Sequence, residues 1–254
     1  MLRYSEANAK TERLLELPEL QKYLQGKRKV YSLDLLSGWT CPAAQDCLAK
    51  VYVGNGKRRL QDGPLTQFRC FSASQEVAYP NVYNLRKFNW KMIQNMRGDK
   101  QVAELILGTL PKKAGVIRYH VAGDFFKLAY LRGAILAAEQ RPDVLFYAYT
   151  KMINFLAQVD MEKPAKGVIR PNFLVTASVG GRYDYLIKGL GLRTATVVFS
   201  EAEAGKLPID HDDSHAATVG GSFALLLHGV QPKGSEAAVA LKALKGNTYN
   251  RNGK

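Results

Sequence analysis

The runs GVIRYHVA (Gly115–Ala122), FKLAYLRGAILAAEQ (Phe126–Gln140) and VLFYAY (Val144–Tyr149) follow one another almost without a gap. The outer two are short, apolar and rich in β-branched and aromatic residues, which is the composition of strands. The middle run repeats its apolar residues at spacings of three and four, as an amphipathic helix does, and stops before Arg141-Pro142. Neither outer run alternates polar with apolar residues. Both faces of each strand are therefore expected to be buried, as in a parallel sheet whose crossovers are helices.

The same pattern extends in both directions. Val30–Leu36 precedes it, and Phe173–Ala177, Thr196–Phe199 and Phe223–Leu227 follow. Helices are expected at Val77–Met96, at Tyr183–Gly189 and at Ser235–Lys245, where Ser235 stands as N-cap. Strand and helix in alternation imply right-handed βαβ crossovers. No Gly-rich dinucleotide fingerprint and no phosphate-binding P-loop interrupts them. The expected fold is α/β, a full or partial (β/α) barrel of about six parallel strands. Residues 1–254 read as one domain, with a helical N-terminal extension over about 1–29 and a flexible tail over about 246–254.

The chain has 254 residues, 46% of them hydrophobic and 23% charged, which suits one globular domain with its own core. Three cysteines are too few for a disulfide framework. The start of the chain lacks the apolar stretch of a signal peptide, and no run is long enough to span a membrane, so a reducing cytoplasm is expected. The net charge of +14 predicts an anionic partner. Between Leu85 and Arg118 stand Arg86, Lys87, Lys91, Arg97, Lys100, Lys112, Lys113 and Arg118, against Asp99 and Glu104. With Phe88, Trp90 and Tyr119 among them, this stretch reads either as a nucleic-acid-binding segment or as a solvated helix face.

Parallel α/β barrels carry their chemistry at the carboxyl ends of the strands. Reactive side chains fall there in this sequence. Cys41 follows the first expected strand, His120, Gly123 and Asp124 the second, and Lys151 the third. Ser178 and Arg182 follow the fourth, Glu201 the fifth and His228 the sixth. Cys41, Cys47 and Cys70 form CPAAQDC and a distant FRC. Three thiolates on one rim suit a soft or borderline metal. The C-x5-C spacing is wider than most zinc pairs, and an iron–sulfur cluster stands modestly ahead of zinc. His211 and His215, with carboxylates between them, read equally as metal or acid–base residues and as a locally bonded turn. No nucleophile elbow is present, and nothing specific supports a glycosidase carboxylate pair.

TCPAAQDC, DGPLTQFRCFSASQE, HVAGDFF, FYAYTK, FLVTASVGGRYD, VVFSEAEA, PIDHDDSHA and FALLLHGVQPKGSEAA, in this order across Leu33 to Leu244, resemble the phage and plasmid gene product 88 family. That resemblance implies a viral or mobile-element source, and hence the host cytoplasm. A more distant resemblance is to radical S-adenosylmethionine enzymes, which hold a [4Fe–4S] cluster on three cysteines after the first barrel strand. There Cys41 and Cys47 would take the cluster's place and Gly123-Asp124 that of the motif holding the methionyl amine. The C-x3-C-x2-C spacing of those enzymes is absent.

The leading expectation is thus an iron–sulfur protein, a radical or redox enzyme, with its metal on Cys41, Cys47 and Cys70. Its open iron would face His120, Asp124, Lys151, Ser178, Glu201, His211 and His215. Asp124 or His120 would orient a ligand, and Lys151 or Arg182 would neutralise an anion. The alternatives are a nucleic-acid-binding protein with a structural or redox-sensing cluster, and a zinc-bound scaffold.

Overall fold

The computed structural model describes residues 1–8 and 11–244. The tail expected over about 246–254 lies outside the described residues, as does the end of the last expected helix. In chain order the strands are β1 (Ser5–Glu6), β2 (Lys29–Leu33), β3 (Ala49–Gly54), β4 (Lys57–Asp62), β5 (Ala114–Tyr119), β6 (Leu145–Thr150), β7 (Val168–Arg170), β8 (Phe173–Ser178), β9 (Thr194–Val198) and β10 (Phe223–Leu226). The helices are α1 (Gln21–Leu24), α2 (Phe71–Ala78), α3 (Pro80–Gln94), α4 (Asp99–Leu107), α5 (Leu128–Gln140), α6 (Ile153–Leu156), α7 (Ser214–Ala217) and α8 (Glu236–Ala243).

All six expected strands form, as β2, β5, β6, β8, β9 and β10, and every neighbouring pair among them is parallel. They stand side by side in chain order within an eight-stranded sheet. β1 adds to β2 antiparallel, and β7 pairs antiparallel with the first half of β8. β9 therefore meets β8 only at Ala177 and Ser178. The buried Arg193 side chain fills the resulting wedge. Its guanidinium donates to the carbonyls of Val175, His215, Ala216 and Thr218 at 2.7–3.3 Å. The sheet is open, with β1 at one edge and β10 at the other, so the closed barrel that the sequence allowed is not formed.

Continuous burial matches the missing alternation: every residue of β5 is buried, and all but one of β6 and of β8. One face packs Ile117, Tyr119, Phe146 and Phe173 against α3, α4, α5 and α6. The opposite face packs Val116, Tyr147, Leu174 and Phe223 against Leu14, Leu20, Tyr23 and the α7 residues Ala216 and Ala217.

The helices needed more correction. The expected Val77–Met96 helix is two helices that break at Tyr79-Pro80, because proline disfavours helical backbone at the residue before it. Tyr183–Gly189 shrinks to one 3-10 turn at Asp184–Leu186. Ser235 is the N-cap, accepting from the Ala238 amide at 3.1 Å. The N-terminal segment holds β1, two short 3-10 turns and the four-residue α1, so it is only partly helical.

Candidate metal centre

Because the six strands are parallel, their C-terminal ends share one edge of the sheet. The segment after β2 crosses that edge. The Leu35 amide donates to the Ala122 carbonyl at 2.8 Å, and the Asp124 amide donates to Thr40 Oγ1 at 3.4 Å. Further along, the Gln45 and Asp46 amides both donate to the Gly180 carbonyl at 3.1 Å, and the Arg182 amide donates to the Ala43 carbonyl at 2.8 Å. Gly180 has φ +95°, and a Cβ there would stand 2.6 Å from Asp46 Oδ2. Only glycine fits that approach between the turn after β8 and the cysteine loop.

A second segment arrives at the cysteine loop. The Gln67 and Phe68 amides donate to the Asp46 carbonyl at 2.8 and 3.0 Å. The Arg69 amide donates to Gln231 Oε1 at 2.7 Å, and the Phe71 ring lies 4.5 Å from the His228 ring. Cys70 stands at the N-cap of α2, whose Ser72 hydroxyl donates to the Val121 carbonyl at 2.9 Å. Cys41, Cys47 and Cys70 are thus carried by backbone tied to β5, β8 and the segment after β10.

The three thiols are free, half-buried and close enough to feel one another's charge. Burial pushes the Cys41 thiol well up, and the charges of Asp124, Cys70 and Cys47 add to it. Burial also pushes Cys47 up to about 11, with the Lys151 ammonium opposing and Cys70, Asp46 and Asp124 adding. Uncompensated thiolates are therefore costly here, and a bound cation would offset that cost. Three soft donors, two on a clamped loop and one at the N-cap of α2, suit an iron–sulfur cluster or another thiophilic metal by donor type. Among the described residues, no three His, Cys, Asp or Glu side chains are arranged to hold a single metal ion as they stand.

Asp124 and Lys151 lie within this constellation as anchors. Asp124 Oδ1 accepts from the Thr150 hydroxyl at 2.5 Å and the Phe125 amide at 2.7 Å, and Oδ2 accepts from the Lys151 amide at 2.8 Å. Burial raises its carboxyl to about 6 in spite of these bonds. Lys151 Nζ donates to Ser178 Oγ at 2.9 Å and to the carbonyls of Ser178 and Val179, tying β6 to the turn after β8. Gly123 backs onto Thr40 and Leu35.

The other expected site residues differ in their surroundings. His120 faces the helix layer, with Nε2 2.8 Å from the Tyr130 hydroxyl and aromatic contacts to Phe125 and Tyr130. The Arg182 side chain, Glu201 and His211 are exposed. His215 packs 5.6 Å from the Phe223 ring, with Nδ1 3.9 Å from Asp210. Two of the eight basic residues counted toward a nucleic-acid segment are internal counter-ions: Arg86 pairs with buried Glu76 at 3.1 Å, and Arg118 pairs with buried Asp213. Tyr119 is fully buried.

Sequence reasoning missed two groups. Glu76 Oε1 accepts from the Ser37 amide and hydroxyl at 2.9 and 2.8 Å, holding the start of the cysteine loop. Asp213 accepts from the Tyr147 and Tyr149 hydroxyls at 3.0 and 3.3 Å. Isolated carboxylates carry no spacing signal, although Asp213 lies in the PIDHDDSHA segment already singled out. No curated protein and no solved structure matches this chain. A family model does match it, over residues 2–246, and on that match the chain belongs to the gene product 88 family.

Proposed function

We propose that Cys41, Cys47 and Cys70 hold a [4Fe–4S] cluster at the C-terminal edge of the sheet, and that the protein performs redox or radical chemistry there. The observation that supports this reading is that Cys41, Cys47 and the distant Cys70 lie near enough to feel one another's charge, with Asp124 and Lys151 acting on the same thiols. Six parallel strands in chain order support the finer description of a partial barrel.

When bound, such a cluster supplies one-electron transfer and, with three protein ligands, one iron open to a further ligand. The chain's own residues hold the rim in shape. Asp124 fixes the end of β6 through Thr150 and the Lys151 amide. Lys151 places a positive charge beside Cys47, which favours its thiolate. The three bonds that Asp124 accepts occupy both its oxygens, so a role in holding the methionyl amine of S-adenosylmethionine has less support than the cluster itself. Nucleic-acid binding through residues 85–118 loses support in the same way, with Arg86 and Arg118 engaged inside the fold.

The test is anaerobic purification with iron and sulfide analysis and EPR, for wild type and for Cys70→Ala. About four irons and four sulfides per chain, lost in the variant, are expected. Zinc, or three titratable thiols without metal, would overturn the reading.

A further inference from the structure

A second surface stands beside the cysteine loop. The hairpin of β3 and β4 turns at Asn55-Gly56, both at positive φ, and its pleat sorts its residues onto two faces. Ala49, Val51 and Leu60 pack inward with Ala73 of α2 and Tyr83 of α3. Arg58 Nε donates inward to the Val77 carbonyl at 3.1 Å, and Asp62 pairs with Arg69. The alternate residues form the outer face. There Tyr52 stands opposite Arg59, Lys50 opposite Gln61 and Gly54 opposite Lys57. No acidic residue stands among them.

Aromatic rings adjoin these cations. The Trp39 Nε1–H donates to the Val51 carbonyl at 2.9 Å, and its ring meets Tyr52 edge-on at 5.1 Å. Trp39 is 36% exposed and Tyr52 42%. Lys50 Nζ lies 5.0 Å over the Trp39 ring. Trp90 of α3 stacks on Trp39 at 6.2 Å, with Lys91 Nζ 4.7 Å above it and exposed Lys87 on the same helix.

We infer that this face binds a single-stranded polynucleotide, with Tyr52 and Trp39 stacking bases and Lys50, Lys57 and Arg59 meeting phosphates. Charge complementarity selects a polyanion, and the exposed rings select one whose bases are free to stack. In a duplex the bases are already stacked on each other and offer the rings nothing. The inference does not depend on the metal centre. Trp39 nevertheless precedes Cys41 in the same loop, so a bound strand would lie next to that rim.

The experiment uses the full chain as purified and follows fluorescence anisotropy of labelled oligo-dT and oligo-U, each of about 20 nucleotides, across a salt series. Binding of either strand that weakens with salt is expected, and the tighter of the two names the source. Tyr52→Ala is expected to weaken it roughly 5- to 150-fold, the range for one lost base–ring stack. Lys57→Glu with Arg59→Glu is expected to weaken it at least about tenfold. Lys112→Glu with Lys113→Glu makes the same charge change on exposed lysines elsewhere, so its loss is expected to be much smaller. The hairpin variants alter exposed side chains, and circular dichroism confirms their fold. Absence of binding at low salt, an equal loss in the Lys112/Lys113 control, or equal affinity for a duplex of the same length would each overturn the inference.

Discussion

His120 enters the folded state as a neutral imidazole. Burial, with the Arg118 charge second, lowers its pKa to about 3, and Nδ1 has no partner to stabilise a proton. In the unfolded chain the same group titrates near 6.5. Between those values the unfolded state holds a proton that the folded state refuses. The contribution of His120 is therefore whole above about pH 6.5 and is lost progressively as pH falls toward 3, at about 1.4 kcal/mol per unit. Urea unfolding at pH 5.5 should show about 1.4 kcal/mol less stability from this group than at pH 7.5. His120→Asn, chosen because asparagine tolerates the φ of +82°, should remove that slope. An unaltered slope in the variant would mean that the imidazole titrates normally. The sequence correctly ranks His120 as a strand-end residue. Its spacing cannot say which face of the sheet the ring takes.

At the scale of elements, α4 and α5 meet at Gly133. A Cβ at that position would stand 2.5 Å from Val102 Cβ and 2.7 Å from the Asp99 carbonyl. Two effects oppose each other in Gly133→Ala. Helix propensity favours alanine by about 1 kcal/mol, whereas overpacking a rigid contact costs about 1–3 kcal/mol. Steric cost should win because Asp99 O is backbone and Val102 is fully buried, so neither yields easily. Thermal unfolding should show a net loss of about 1 kcal/mol, and a gain in Tm would mean that the helices slide apart freely. Helix α5 was readable from its periodicity alone. The sequence reading gives neither helix α4 nor the β3–β4 hairpin, although Asn55-Gly56 is a strong turn signal and DKQVAELIL has helical spacing.

At the scale of the whole molecule, the cysteine loop and the 63–70 segment together link the first and last parallel strands along the sheet's C-terminal edge. The loop joins β2 to the turn after β8, and the 63–70 segment joins the loop itself, at Asp46 and Leu48, to the residues after β10. A metal bound only by the folded chain adds stability by mass action. On the proposed reading, a chelator or Cys41→Ser should therefore lower Tm while leaving far-UV circular dichroism almost unchanged. Hydrogen exchange should then rise over residues 37–48 and 63–73, and hold in β5, β6 and α5, which share the main core. Loss of protection spread evenly over the chain would argue that the loop is no clasp. Charge is also a whole-molecule property. Arg86 and Arg118 are buried against Glu76 and Asp213 and cancel in pairs, so the +14 excess lies on the surface rather than inside the fold.

What the sequence by itself determined is the order and identity of the six parallel strands, the helix between β5 and β6, the Ser235 cap and the segments that bear reactive groups. These follow from local causes: side-chain periodicity, β-branching, proline and capping chemistry act within a few residues. Only the tertiary structure decided that the sheet stays open and that Cys70 comes within range of the charge of the two earlier cysteines. It also decided that His120 turns away from them, and that Asp124 and Lys151 spend their hydrogen bonds on holding the rim. Each of those outcomes depends on contacts between residues far apart in sequence. They rest on the face a strand-end residue takes, on the loop that finds a carbonyl at Gly180, and on the counter-ion that reaches a buried charge, none of which leaves a periodic mark in the chain.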